Sequence, residues 1–184
     1  MRDLRTIKTG ITHGGKFHTD DVISTAFIKY FSPDMNVIRV QEFEGEEKID
    51  ELAYDIGLGE FDHHQDERKI DDIGYPYSAF GLLWEAYGKE YLEDFGFKNI
   101  DEAFELFKDR YVFKIDEGDN EGYQNLRWFF ENDLIVKCNP MWFENADEEL
   151  ENLQFEKAVK IGTMILENWT RSIFDIVEDH TYRI

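Results

Sequence analysis

Only one cysteine, Cys138, occurs in the 184 residues, so no disulfide framework can form within the chain and a reducing compartment is expected. Its expected role is that of a small, partly buried hydrophobe. The sequence also lacks the run of about 20 apolar residues that a membrane span requires. The opening MRDLRTIKTG lacks the apolar stretch of about 7–15 residues that marks a signal peptide. The expectation is a soluble, cytoplasmic protein with no membrane partner. Positive charge is scarce as well: 20 Lys and Arg stand against 41 Asp and Glu, for a net charge of −21. That deficit argues against a broad electrostatic footprint for long nucleic acid, so long duplex is not an expected partner. A polyanion would have to be held locally, by metal ions and a few basic groups, while most of the carboxylates form a solvated surface. No internal repeat or low-complexity linker is present. The length suits one domain with or without a helical extension, and aromatics at 16% supply its core.

The chain has five histidines, and four of them lie in two acid-rich segments. His13 and His18 fall in THGGKFHTDD (residues 12–21), just ahead of Asp20 and Asp21. His63 and His64 fall in YDIGLGEFDHHQ (residues 54–65) beside Asp55, Glu60 and Asp62. Imidazole nitrogen combined with carboxylate oxygen suits Mn, Zn, Fe or Co, whereas a site built for Ca or Mg would use oxygen alone. Two such ions about 3.5–4 Å apart, bridged by a carboxylate, activate water and stabilise the leaving oxygen of a phosphoester.

The periodicity places these segments. Residues 5–12 read as a first strand ending at His13, followed by a Gly14-Gly15 turn and a helix capped by Thr19. That helix carries Asp20 and Asp21 in its first turn and runs to Pro33 with Val22, Ile23, Ala26, Phe27 and Tyr30 on its apolar face. Residues 35–41 read as a second strand, the acidic stretch after it as a loop or short helix, and Leu52, Tyr54 and Ile56 as a third strand bearing Asp55. Alternation of strand and helix implies a parallel α/β sheet, at whose carboxyl ends His13, Asp55 and the Asp62-His63-His64 loop should meet. From residue 76 the pattern turns helical: YPYSAFGLLWEAYGKEYL, NIDEAFELFKDRYVFKI and NEGYQNLRWFFEN each read as a helix. IDEGDNEG between the last two reads as a polar turn that offers Asp116, Asp119 and Asn120, and one of its aspartates is a candidate metal ligand. After the Asn139-Pro140 break a long helix covers residues 148 to about 179, with Phe155, Val159, Met164, Ile165 and Trp169 as core positions.

The Asp-His-His motif, the strand-end Asp55 and the histidine-rich first loop resemble the DHH phosphoesterase superfamily. More closely, THGGKFHTDD, DIG followed by FDHHQ, YSAFGLLWEAYG, IDEGDN and CNPMW resemble the melanocyte proliferating gene 1 family of metal-dependent hydrolases, which is linked to RNA exonuclease activity. The resemblance implies a DHH-type α/β domain over residues 1–145, a parallel sheet flanked by helices with a helical C-terminal portion. Residues 146–184 would form the helix that connects to a second, substrate-clamping domain in longer relatives. It implies two divalent metal ions, Mn first, with Zn, Fe, Co or Mg as alternatives. His13, His18 and Asp20 would be ligands from the first motif, Asp55 the bridging carboxylate, His63 a direct ligand, and Asp116 or Asp119 the remaining carboxylate. Asp62 would orient a histidine, and His64 would contact phosphate or protonate the leaving group. Lys16, Arg68 and Lys69 are the basic groups nearest these motifs. The expected activity is hydrolysis of small phosphoesters or short oligonucleotides. The alternative is a lidless metal-binding or regulatory module that acts with a partner or as a homo-oligomer, its uncovered surface carrying apolar residues such as Trp169, Ile173 and Phe174.

Overall fold

The computed structural model describes residues 2–65, 67–121, 130–141 and 143–178. Three parallel strands, β1 (Thr9–His13), β2 (Asn36–Val40) and β3 (Glu51–Ala53), form a sheet in the order β2-β1-β3. The central position of β1 explains its burial from Gly10 to Thr12, since a strand flanked on both edges and covered on both faces has no solvent side. Gly10 suits that place: a Cβ there would lie 2.9 Å from Met35 Cε and 3.2 Å from Tyr54 Cε1. Strand β1 begins later than the alternation predicts, because residues Leu4–Thr6 form a 3-10 turn closed by the Asp3 side chain on the Arg5 amide.

Helix α1 (Thr19–Phe31) follows β1 and is buried on nearly every side from Thr19 to Ile28. Its N-cap is His18 rather than the expected Thr19: the His18 amide donates to Asp21 Oδ1 at 3.0 Å. Thr19 Oγ1 instead donates to Asn132 Oδ1 at 2.6 Å. After β3, helix α2 (Ala79–Phe95) begins at an N-cap Ser78, whose Oγ accepts from the Gly81 amide, and ends at Gly96. Helix α3 (Ile100–Phe107), a π-helical turn (Lys108–Val112) and α4 (Phe113–Glu121) run on without a break. The stretch expected as a polar turn is therefore helical, and Asp116 and Asp119 sit one turn apart on it. Of the expected helix over residues 120–132, residues 122–129 lie outside the described residues; 120 and 121 end α4, and 130–132 open α5 (Phe130–Val136).

Helix α6 (Glu148–Val177) packs chiefly on α1, α3 and α5 and joins the same core. Phe155, Val159, Ile165, Trp169, Ile173 and Val177 are all buried on one stripe. Met164 is the exception to the sequence reading, at 57% exposed, because it falls one residue outside that stripe. Trp169 and Ile173 are core residues, not uncovered surface, and Phe174 packs on Phe95 and Phe97. The aromatic content lies in this interior: Trp84 stacks on Phe107 with ring centroids 4.0 Å apart, and Phe27 contacts Phe80, Trp84 and Tyr91. Burial of each such side chain contributes roughly 1.5–3 kcal/mol. No helix among the described residues is long and apolar enough to cross a membrane.

Candidate metal centre

Two connections at the carboxyl ends of the strands, together with α4, bring the acidic and imidazole groups to one place. The first runs from His13, the last residue of β1, through Gly14-Gly15 to His18 and the first turn of α1. It is held from behind by Asn139, whose Oδ1 accepts from the Phe17 amide at 3.0 Å while its Nδ2 donates to Phe17 O at 2.8 Å. The second leaves β3 through Tyr54, which bridges to Phe61, and turns sharply at Asp55. Asp55 adopts φ +56°, a left-handed conformation that costs a non-glycine residue energy and marks sites where geometry matters more than local stability. Gly57, at φ +85°, takes the chain past Phe43, where a Cβ would come within 2.7 Å of the Phe43 ring. The Asp55 amide then donates to Phe61 O, and the loop returns Asp62, His63 and His64 beside Asp55.

Asp55 lies at the middle of the cluster. Its Oδ2 is 3.2 Å from His13 Nε2 and its Oδ1 is 2.9 Å from His63 Nε2, so its two oxygens serve histidines from the two separate segments. His13 Nε2 is also 3.1 Å from Asp21 Oδ2, and His63 Nε2 is 3.3 Å from Asp119 Oδ2. Three sets of side chains have ligand atoms within 4.8 Å of one another: Asp55, His63 and His64; His13, Asp21 and Asp55; and His18, Asp20 and Asp119. His13 Nδ1 donates to Gly14 O at 3.0 Å, which turns Nε2 toward the carboxylates.

The electrostatics are those of a cation site. Asp20 is fully buried, and neither of its oxygens has a hydrogen-bond partner among the described residues. Burial, followed by the charges of Asp55, Asp119 and Asp21, drives its carboxyl well above the usual range. Burial likewise raises Asp119, with Asp55 adding to the shift and His63 opposing it. Burial opposes ionisation of Asp55, but hydrogen bonds from His13 and His63 hold it down to about 2. Burial also disfavours the His13 cation, yet its bonds to Asp21 and Asp55 raise it to about 11. An orphaned buried carboxylate among like charges is costly unless a cation meets it. Mixed nitrogen and oxygen donors fit a first-row divalent ion.

His64 stands at the edge of the cluster. Its Nδ1 is 2.6 Å from Asp62 Oδ1, and that bond raises the imidazole above its ordinary value. Asp62 is fixed in turn by the amides of Leu58 and His64, and these bonds with His64 outweigh burial to lower its carboxyl. The cleft in front has a volume of about 670 Å³ and is lined on its rim by Lys16, Gln41, Arg68 and Asn120. Arg68 donates to Asn120 Oδ1 at 3.1 Å. Lys69 lies instead beside a neighbouring recess.

The structure brings together His13, His18, Asp20, Asp55, His63, His64 and Asp119, with Asp62 behind His64. It does not bring Asp116 to them: Asp116 is buried against the start of α2, where Ser78 N and Oγ donate to its Oδ1. Asp21 is the residue that sequence reasoning assigned only to the helix dipole. The Asp20-Asp21 doublet was the available signal, since adjacent residues in a first helical turn both reach the ground beyond the N-cap.

A family model described as an uncharacterised protein family (UPF0160), MYG1_exonuc, matches residues 9–180. A MYG1 protein of Dictyostelium discoideum is 27% identical over 183 residues, covering 88% of this chain and 54% of the relative. The chain thus spans about half the length of the curated relative it matches. No solved structure matches it.

Proposed function

Because the chain belongs to the uncharacterised protein family UPF0160, the MYG1_exonuc family, we propose that it is a metal-dependent hydrolase acting on phosphoester bonds, with a site of the DHH phosphoesterase kind. One observation carries this reading: Asp55 turns one oxygen to His13 and the other to His63, beside the orphaned buried carboxylate of Asp20. Divalent ions held by these groups supply the Lewis acidity that activates water and neutralises charge developing at phosphorus.

In this reading His13, Asp21 and Asp55 would hold one ion, and Asp55, His63, Asp20 and Asp119 would hold the other, with His18 beside the second set. Mn is the first choice. The chain's own groups do the rest. His64, oriented by Asp62 and raised by that bond above its ordinary value, stands at the open side, where its Nε2 donates a proton to the departing oxygen. Lys16 and Arg68 on the rim meet phosphate oxygens, and Asn120 holds Arg68 in place. With a surface at −21, affinity for long polyanions is low, so short oligonucleotides and nucleotides are the proposed substrates.

The test pairs elemental analysis with hydrolysis of a generic phosphodiester and a short RNA in added Mn. About two equivalents of metal, with turnover that disappears in Asp55→Asn, is the expected result. Phosphoesterase activity unchanged by Asp55→Asn in metal-replete protein would overturn the proposal.

A further inference from the structure

A second recess, of about 440 Å³, shares no lining residue with the histidine cleft. Its size falls within the roughly 300–1,000 Å³ typical of small-molecule sites. Thr25 and Lys29 of α1, Met35, Asn36, Val37 and Arg39 at β2, and one face of α6 from Asn152 to Thr163 enclose it. Side-chain alternation puts Val37 and Arg39 on the inner face of this edge strand while Asn36 and Ile38 are exposed.

Arg39 is the unusual feature. It is 6% exposed, and only Nη2 is used by the fold, donating to Gly15 O at 2.7 Å. Its Nε and Nη1 are buried and have no hydrogen-bond partner among the described residues. The guanidinium lies 4.5 Å from the Phe155 ring centroid and 5.5 Å from that of Phe17. Asp21 and Glu151 act on it through space, but neither makes an ion pair with it. A buried guanidinium with unused donors is costly to the fold, the more so because the group is charged. Lys29 and Lys160 line the same recess, and among the described residues Lys29 Nζ has one bond, to Met35 O, which leaves two of its three donors for a ligand. Glu156 is the one carboxylate among the described residues that line it. Three cations against one carboxylate, on a chain carrying −21, suit a dianion, which a phosphate monoester is at neutral pH and a lone carboxylate is not. The remaining wall, Met35, Val37, Phe155 and Val159, is apolar and partly aromatic.

We propose that this recess is a second binding site, for a small phosphate monoester with a flat apolar body: Arg39, Lys29 and Lys160 take the phosphate, and the Phe155 wall takes the body. The bond from Arg39 to Gly15 ties the site to the loop between His13 and His18, so a bound ester stiffens the loop that presents two of the histidines.

The four methionines allow a direct test in the full chain. Met35 lines the recess, whereas Met141 and Met164 are exposed elsewhere. With methyl-labelled methionine, AMP and inorganic phosphate are titrated separately into the metal-free protein and followed by NMR. The expected result is a saturable shift of the Met35 methyl with AMP, weaker with phosphate, and none at Met141 or Met164. Lys160→Glu, at an exposed position that leaves the fold intact, should weaken AMP binding about tenfold or more, as should Arg39→Lys. A His64→Asn variant should retain the shift, because His64 lies in the other cleft. The proposal fails if Met35 does not respond at millimolar AMP, if Lys160→Glu binds as wild type, or if His64→Asn abolishes the shift. Equal affinity for phosphate and AMP would overturn the assignment of an ester with an apolar body.

Discussion

Ser78 donates twice to one oxygen of Asp116, from its amide at 2.8 Å and from its hydroxyl at 2.6 Å. Asp116 therefore braces the start of α2 against α4, and Asp119, one turn further along, is left to face the histidines. The approach is close: a Cβ on Gly81 would lie 2.4 Å from Asp116 Oδ1. Asp116→Ala should cost about 1–3 kcal/mol of stability by leaving buried donors of Ser78 unmet, while Asp119→Asn should leave the melting temperature of metal-free protein nearly unchanged and weaken Mn binding. The reverse pattern, measured by thermal denaturation and metal titration, would exchange the two roles.

Burial raises the Asp116 carboxyl from 3.8 to about 8. A group whose folded pKa lies above its unfolded value stabilises the fold when protonated. That contribution is complete below pH 3.8 and is lost as pH rises toward 8. Metal-free Asp116→Asn, which cannot ionise, should therefore lose less stability than wild type between these limits. Parallel denaturation curves for the two proteins across that range would refute the assignment.

Metal binding should release protons. In the metal-free protein His13 is raised to about 11 and so carries its proton at neutral pH, whereas a ligating Nε2 must be free of it. Affinity for Mn should rise with pH up to that value. Calorimetric titration at pH 7.5 in buffers of different ionisation enthalpy should show uptake of at least one proton by buffer per protein, reduced by one in His13→Gln. Identical heats in all buffers would mean that His13 is neutral or does not ligate.

The sheet, α1 and the meeting of the two histidine segments were legible because each depends on local pattern: apolar alternation, a turn at Gly14-Gly15, and ligand-type residues at strand ends. What was not legible depends on contacts distant in sequence. Thr19 looks like an N-cap until Asn132 takes its hydroxyl. Asp116 and Asp119 look equivalent until Ser78 claims the first. Arg39 alternates with apolar neighbours as an ordinary strand residue would, and only the packing of Phe155 over it shows that it is buried.

The same distinction gives a stability prediction along α6. Trp169 stacks on Tyr111 with ring centroids 4.5 Å apart and is 4% exposed, while Met164 is 57% exposed. Trp169→Ala should cost about 3–5 kcal/mol and lower the melting temperature by roughly 6–20 °C for a chain of this size. Met164→Ala should fall within about 0.5 kcal/mol of wild type. A large effect at Met164 would mean that its face of α6 is covered in solution.

The most informative test of the chemistry separates His64 from the metal ligands. Asp62 is the first cause of the raised His64 value, through the bond between His64 Nδ1 and Asp62 Oδ1. If His64 protonates the leaving oxygen, His64→Asn should keep its bound metal and lose about 10²–10⁴-fold in kcat. Asp62→Asn retains the histidine but removes the charge that holds its proton, so the alkaline limb of the pH–rate profile should move down toward the ordinary histidine value of 6.5. The two variants together exclude a purely structural role, which would lower activity without moving the limb. A fast-leaving aryl phosphoester sharpens the result, because a leaving group that departs without a proton should restore much of the loss in His64→Asn. Equal loss on both kinds of substrate would place His64 among the groups that bind phosphate and assign the proton transfer to water.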